Sequence, residues 1–299
     1  MELTRLLIGI PDIVIALVSG PIHGRILYVF LTKAEFRKHQ CYRIMAQMEV
    51  LTCLLIPYYL FMGCTVLSQN RLFGVTINLA NLADCSLLGL SAMDLVLALN
   101  RVKVIFDLNY PGVFDHVLQV CVWLLFLAAL DIQLSPFAGF TFTDDLLGTL
   151  PDMSLSWEDA YTTFMSNFVL ACTVVIILCY VAIVARLVYE KSQTGNVGLS
   201  HHEKRILLHA VIRFLGDVLA QMCFKAVFLV DAYGGDASLV QVFSQTADFL
   251  NMVNYTCVSP ILCLVLNRTI RNAVLDVKTM ASVAPASIQR TFSAGNNNT

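Results

Sequence analysis

The chain has 299 residues, 58% of them apolar and 13% charged, and its mean hydropathy is +0.73. Ordinary soluble domains carry about 25% charged residues, so the composition excludes a soluble globular protein and predicts an integral membrane protein. The net charge of −2 does not indicate a partner. We expect a lipid bilayer around this chain, and no nucleic acid.

Seven apolar segments follow one another along the chain, and each is long enough for a helix to cross a bilayer core, which takes about 20 residues. They cover residues 6–31, 41–63, 76–99, 116–136, 162–187, 206–230 and 239–266. The first is interpreted as a span because no small-residue cleavage site of a signal peptide follows it. The pattern predicts an all-α membrane protein, a seven-transmembrane helix bundle over residues 1–278 that ends in a short amphipathic helix at about 268–278. Residues 279–299 are predicted to form a disordered cytoplasmic tail.

Lysine and arginine are distributed unevenly between the two sides of the predicted bundle. One side comprises the first loop, the end of span three, the link between spans five and six, and the tail. It has 14 of the 19 basic residues, namely Lys33, Arg37, Lys38, Arg43, Arg101, Lys103, Arg186, Lys191, Lys204, Arg205, Arg268, Arg271, Lys278 and Arg290. The long loop at 137–161, on the other side, has none. Because cytoplasmic loops are enriched in Lys and Arg, we expect the N-terminus outside and the C-terminus in the cytoplasm.

Metal-site and enzyme motifs are absent from the sequence. Its ten cysteines lie in or beside apolar segments and form no CxxC pair, so neither a disulfide framework nor a zinc site is indicated. His201 and His202 lie in a polar link, and the chain contains no HExxH or GxSxG motif. Those motifs are typical of zinc proteases and serine hydrolases. We therefore expect no metal, no cofactor and no catalytic residue.

Span three is polar along one side. Asp84, Ser91, Asp94 and Arg101 are separated by seven, three and seven residues, so they share a broad helical face. A carboxylate within a membrane span is costly unless it faces the bundle interior. The face is interpreted either as a buried seam that only packs, or as part of a central helix that connects an outer pocket with Arg101.

Span six has a polar residue at every fourth position. His209, Arg213, Asp217, Gln221 and Lys225 form a stripe that winds slowly along one side of a helix. Arg213 and Asp217 are spaced for an ion pair within the helix. The stripe is interpreted either as packing against neighbouring helices or as a functional face, whose outer members would contact a ligand.

Four short motifs occur in a fixed order. Span two opens with CYRIM at 41–45, span three ends with LALNR at 97–101, and span seven ends with SPILC at 259–263, followed by LNRTIR at 266–271. In this order and spacing, the set resembles the nematode serpentine receptors. The resemblance is closest to class T, a chemosensory branch of the rhodopsin-like G-protein-coupled receptors.

The resemblance implies roles for the matching positions. Asn100 and Arg101 occupy the place of the Asp/Glu-Arg pair at the inner end of helix three. Pro260 occupies the place of the helix-seven proline, and Asn267 to Arg271 begin the amphipathic helix. The chain also departs from the family pattern. Asn100 is not acidic, the Asn before Pro260 and the Tyr after it are missing, and the cysteines of the usual outer disulfide are missing.

The resemblance implies a chemosensory receptor in the plasma membrane, for example of a sensory cilium, that binds an extracellular small molecule and activates a heterotrimeric G protein. We expect a ligand pocket between the outer halves of spans three, five, six and seven. Its six candidate polar groups are Asn81, Asp84, Gln221, Lys225, Gln245 and Asp248. At the inner end, Arg101 would act as the switch, with Glu203 as its resting partner.

A secondary transporter is the alternative. Intramembrane charges that could form an ion path are Asp12, Glu49, Asp84, Asp94, Asp131, Arg213 and Asp217. However, the sequence shows no internal repeat, and seven spans do not divide into two matched halves. An opsin-like pigment is disfavoured because it would need a Schiff-base lysine in span seven, and residues 239–266 contain no lysine.

Overall fold

The computed structural model describes residues 2–108, 111–143, 145–194, 201–232, 237–266 and 268–275. Its α-helices are α1 (Glu2–Thr32), α2 (Ala34–Lys38), α3 (Gln40–Ser68), α4 (Val75–Ile105), α5 (Gly112–Gln133), α6 (Glu158–Thr194), α7 (His201–Ala232), α8 (Ala237–Met252), α9 (Ser259–Leu266) and α10 (Arg268–Leu275). A 3₁₀ turn covers Leu72–Gly74, and a π-helical turn covers Val253–Val258. Two short strands, β1 (Phe140–Phe142) and β2 (Thr149–Pro151), lie between α5 and α6.

Within the described residues, six helical segments are long and apolar enough to cross a membrane. They are Glu2–Thr32, Gln40–Ser68, Val75–Ile105, Gly112–Gln133, Glu158–Tyr189 and Val242–Leu266. The last runs through α8, the π turn and α9 without a break. Helix α7 is 32 residues long but is not one of the six found among the described residues. The protein is therefore a mainly helical, multi-pass membrane protein.

Helix α4 lies at the centre of the bundle and packs against α3, α5, α6 and α7. A larger share of it is buried than of any other of the six segments. Small residues permit this central position because a helix without bulky side chains lets its neighbours approach closely. At Gly89, for example, an added Cβ would lie 3.1 Å from Leu51 of α3.

Helices α1 and α3 meet at two glycines. A Cβ added at Gly63 would lie 2.7 Å from the carbonyl oxygen of Gly9 and 2.8 Å from Ile13 Cγ1. At this crossing the two backbones touch, as small residues allow in membrane bundles. The contact fixes α1 against α3 beside Asp12, which follows Gly9 by one turn.

The substitution Gly63→Ala is expected to lower the free energy of unfolding by about 1–3 kcal/mol, because overpacking must displace backbone atoms here. Gly24→Ala is the matched control, since a Cβ at Gly24 meets nothing within 4 Å. Alanine in a helix interior is favoured over glycine by about 1 kcal/mol, so the control should be neutral or stabilising. Thermal unfolding of both variants in detergent measures the difference, and equal stabilities would contradict the close crossing.

The long loop at 137–161 contains a small antiparallel hairpin that the all-α prediction did not include. Phe140 pairs with Pro151, and Phe142 pairs with Thr149. Hydrogen bonds from helical side chains secure its base. Asn81 of α4 accepts from the Phe140 N–H at 3.1 Å and donates to the Gln133 carbonyl at 3.0 Å. These bonds join the hairpin to the bundle.

Candidate functional site

The hairpin covers a cavity of about 270 Å³. The cavity lies between α1, α3 and α8, with Leu147 and Gly148 of the hairpin loop over it. Tyr58 of α3, which lines the cavity, shares a hydrogen bond of 3.1 Å between its hydroxyl and the Thr149 hydroxyl of β2. The hairpin is therefore tied directly to the cavity wall.

Two carboxylates line this cavity. Asp12 of α1 is only 9% exposed, and Asp248 of α8 is half-buried. Gln245 and Thr246 add polar groups, and among the described lining residues there is no lysine, arginine or histidine. Ligand cavities are mostly apolar with a few convergent polar groups, and this one fits that description.

Of the six residues predicted to form the pocket, Gln245 and Asp248 line this cavity. Three of the others contact different parts of the bundle. Asn81 holds the hairpin, Asp84 accepts from the Tyr161 hydroxyl at 3.2 Å, and Lys225 contacts the Ser166 hydroxyl of α6. Gln221 is half-buried on α7. The described cavity is thus built on spans one, two and seven, and the pocket between spans three, five, six and seven stays a prediction.

A second group of charges lies in the middle of the bundle. Arg213 of α7 is 3% exposed, and its Nε lies 3.7 Å from Oδ1 of Asp94 on α4. The guanidinium also lies over the ring of Tyr255, 4.9 Å from the centroid. Asp217 accepts from Asn254 at 2.7 Å. The ion pair that the spacing predicted within α7 is therefore formed between helices, because Asp94 faces Arg213 across the interface.

The π turn contacts α7 through two hydrogen bonds of Asn254. Asn254 donates both to Asp217 and to the main-chain carbonyl of Arg213, the latter at 3.1 Å. An added Cβ at Gly216 would overlap the Asn254 amide, so α7 approaches the π turn closely at that glycine. Wide turns of this kind often mark functional places in a helix, and here the turn brings the last span against α7.

A buried histidine satisfies the carbonyl that Pro260 leaves free. Proline has no N–H, so the carbonyl four residues earlier, that of Thr256, loses its helical donor. His23 of α1 contacts this carbonyl through Nε2 at 3.2 Å, while its Nδ1 lies 2.6 Å from the Glu49 carboxylate of α3. Inside a membrane every backbone polar group needs such a partner. This contact was not predicted. A helical proline together with an intramembrane histidine is the sequence signal that could have indicated it.

The C-terminal end of α4 carries Asn100 and Arg101, both buried, with Arg101 only 4% exposed. In the part of the chain that the structure describes, the Arg101 guanidinium contacts the Cys41 thiol of α3, and its Nε has no hydrogen-bond partner. The sequence suggested Glu203 as the resting partner of Arg101. The side chain of Glu203 lies outside the described residues, so this pairing stays a prediction.

Pro260 and Arg271, two further positions that the resemblance singled out, lie in described helices. Pro260 is buried near the start of α9, and α10 contains Arg271. Asn267, between the two helices, lies outside the described residues. Helix α10 packs against α1, where Arg25 Nε donates to the Val274 carbonyl at 3.1 Å.

A helical bundle with a central buried span, an irregular last span and buried charges that face its interior defines an α-helical multi-pass membrane protein of the rhodopsin fold. The structure is similar to the crystal structure of squid rhodopsin, with a TM-score of 0.78. The match covers 95% of this chain and 87% of that chain, at 13% sequence identity. The fold that the resemblance to rhodopsin-like receptors implied is thereby confirmed. No family model matches the sequence, and no curated protein matches it.

Proposed function

We propose that the protein is a seven-transmembrane chemosensory receptor that binds an extracellular small molecule and activates a heterotrimeric G protein at the plasma membrane. The observation that carries the proposal is a cavity lined by two carboxylates without a cationic partner among the described residues. The cavity lies in a rhodopsin fold. The central helix of this fold carries a buried arginine near its C-terminal end. A ligand that binds one arrangement of the helices better than another shifts their populations, and this shift can be detected at the other end.

The buried contacts between the two ends support this coupling. Asp248 of the cavity is five residues before Val253, where the π turn begins, and that turn holds α7 through Asn254. Helix α7 in turn contacts α4 through Arg213 and Asp94. A displacement of α7 would therefore change its contact with the π turn, which follows the cavity helix α8, and its contact with α4, the helix that carries Arg101.

The direct test is a screen of small molecules on cells that express the chain together with G proteins of each subtype. We expect at least one compound to raise G-protein activation in a dose-dependent manner. Asp248→Asn should change its potency at matched surface expression, because Asp248 lines the cavity. A response that persists in cells without the protein, or without G proteins, would remove the basis of the receptor assignment.

A secondary transporter is not favoured. A transport path needs polar groups that an ion or substrate can reach, whereas Arg213 and Asp94 contact each other in the core, as do His23 and Glu49. Assignment to class T of the nematode receptors, and with it a place in a sensory cilium, rests on the motif resemblance alone.

We propose seven crossings, with α7 as the sixth and the N-terminus outside. Epitope tags at the N-terminus and after Ser293 test this arrangement. We expect antibody to stain the first tag on intact cells and the second only after permeabilisation, because the basic residues concentrate on the side of the C-terminus. Staining of both tags under the same condition would require an even number of crossings.

A further inference from the structure

The outer cavity contains a nearly buried carboxylate with no partner. Asp12 is 9% exposed and lines the cavity, and within the described residues it makes no hydrogen bond and no ion pair. Its backbone is fixed by the close crossing of Gly9 and Gly63, since a Cβ at Gly63 would lie 3.0 Å from Asp12 Cβ. The side chain is thus held in place facing the cavity by packing behind it.

A second carboxylate faces the same space. Asp248 of α8 lines the same cavity as Asp12 and likewise has no hydrogen-bond or ion-pair partner among the described residues. Buried carboxylates without partners are costly, and two like charges in a medium of low dielectric constant repel each other. A cation placed between them would remove both costs at once.

The walls of the cavity suit an organic cation better than a hydrated metal ion. Tyr58, Tyr59 and Phe249 line it, together with Met62 and other apolar side chains. Aromatic faces attract ammonium groups, and the apolar surface suits a hydrocarbon body. The volume of about 270 Å³ is near the lower limit of about 300 Å³ for ligand cavities, so the ligand must be small.

We propose that this cavity binds a small organic ammonium ion, with the charge between Asp12 and Asp248 and its hydrocarbon portion against the aromatic wall. The inference deepens the receptor proposal and rests on it for the extracellular origin of the ligand. Gln245, whose side-chain oxygen can accept a hydrogen bond, provides a third polar contact for an N–H of the ligand.

Binding to the purified protein in lipid nanodiscs tests the proposal without any G protein. The probes are 2-phenylethylamine, hexylamine and 1,5-diaminopentane, and their neutral counterparts are 2-phenylethanol and hexan-1-ol. We expect at least one amine to raise the melting temperature with a Kd of about 1 mM or tighter, and the alcohols to bind more weakly by about tenfold or more. Amine binding should weaken only slightly as the salt concentration rises, since a buried ion pair is weakly screened.

Single substitutions assign the site. Asp12→Asn and Asp248→Asn should each weaken amine binding by about thirtyfold or more, as expected for one partner of a buried charge pair. Without ligand, the same variants should melt about 2 °C or more above the wild type, because an unpaired buried charge has been removed. A purely structural role for either carboxylate would lower the melting temperature instead. Asp131→Asn is the matched control, since Asp131 is exposed on α5 and does not line the cavity.

The outcomes separate this proposal from the receptor assignment. The site is overturned if no amine binds, if the alcohols bind equally well, or if Asp131→Asn weakens binding as much as Asp12→Asn does. Amine binding that requires both carboxylates, without G-protein activation in cells, would support the site and reject the receptor. Activation by a neutral compound at unchanged potency in Asp12→Asn would support the receptor and reject the amine site.

Discussion

Replacing Arg213 with alanine is expected to lower the free energy of unfolding by about 3–5 kcal/mol, since it removes one partner of a buried ion pair. Asp94 would remain in the bundle interior without its cation, and its Oδ2 already has no hydrogen-bond partner among the described residues. The contact of the guanidinium with the Tyr255 ring would be lost as well. Thermal or denaturant unfolding in detergent measures this effect.

A double substitution separates the pair from general damage. Asp94→Leu combined with Arg213→Met should recover most of the lost stability, because apolar residues of similar volume commonly replace buried ion pairs without loss. Arg43→Ala is the matched control, since Arg43 is exposed and bonds to His116 at 3.2 Å, and we expect a change within about 1 kcal/mol. Additive losses in the double variant would contradict the pairing of Arg213 with Asp94.

Replacing Arg101 with alanine is expected to abolish agonist-driven G-protein activation while ligand binding stays intact. The guanidinium has five donors and is always charged, yet among the described residues its only hydrogen bond is to a thiol, which is a weak acceptor. Such a group is poorly satisfied in the present arrangement. The carbonyls at the C-terminus of a G-protein helix would attract it once α7 moves outward.

Three further variants define the role of this arginine. Arg101→Lys should retain part of the signal because the charge remains, whereas the planar fork of donors is lost. Glu203→Ala should raise the basal signal, since it removes the proposed resting partner of the guanidinium. Arg43→Ala, near the same end, should signal normally. Full signalling by Arg101→Ala at matched surface expression would reject the switch, and an unchanged basal signal in Glu203→Ala would reject only the lock.

Six of the seven predicted spanning segments correspond to long apolar helices among the described residues, and they could be predicted from the sequence because hydrophobicity and length are local properties. The segment predicted at 76–99 lies within α4, and its polar side faces the bundle interior, as the cost of a carboxylate in lipid requires. The position of Arg101 at the end of this helix followed from the same reasoning. Each of these predictions depended on one helix at a time.

The partners of the buried charges could not be predicted in the same way. Arg213 and Asp217 are one turn apart, so spacing alone favoured a pair within α7, whereas Arg213 pairs with Asp94. Which faces of two helices meet depends on their rotation and crossing angle, and these are set by packing of the whole bundle. For the same reason Asp12 was known as an intramembrane charge, but its position opposite Asp248 was not predicted.

The π turn at Val253–Val258 makes the last span tolerant of one specific change. A wide turn of this kind is equivalent to one residue inserted into a regular α-helix. Deleting a single residue there would let the segment rewind as a regular α-helix, and the residues after it would keep nearly their present directions around the helix axis, because the inserted residue is the one removed. Cys263, now buried, would keep its neighbours. The same deletion in the regular part of α8 would instead rotate every later residue by about 100°, so the wide turn is the place where the span can lose a residue without changing which face of α9 meets α1.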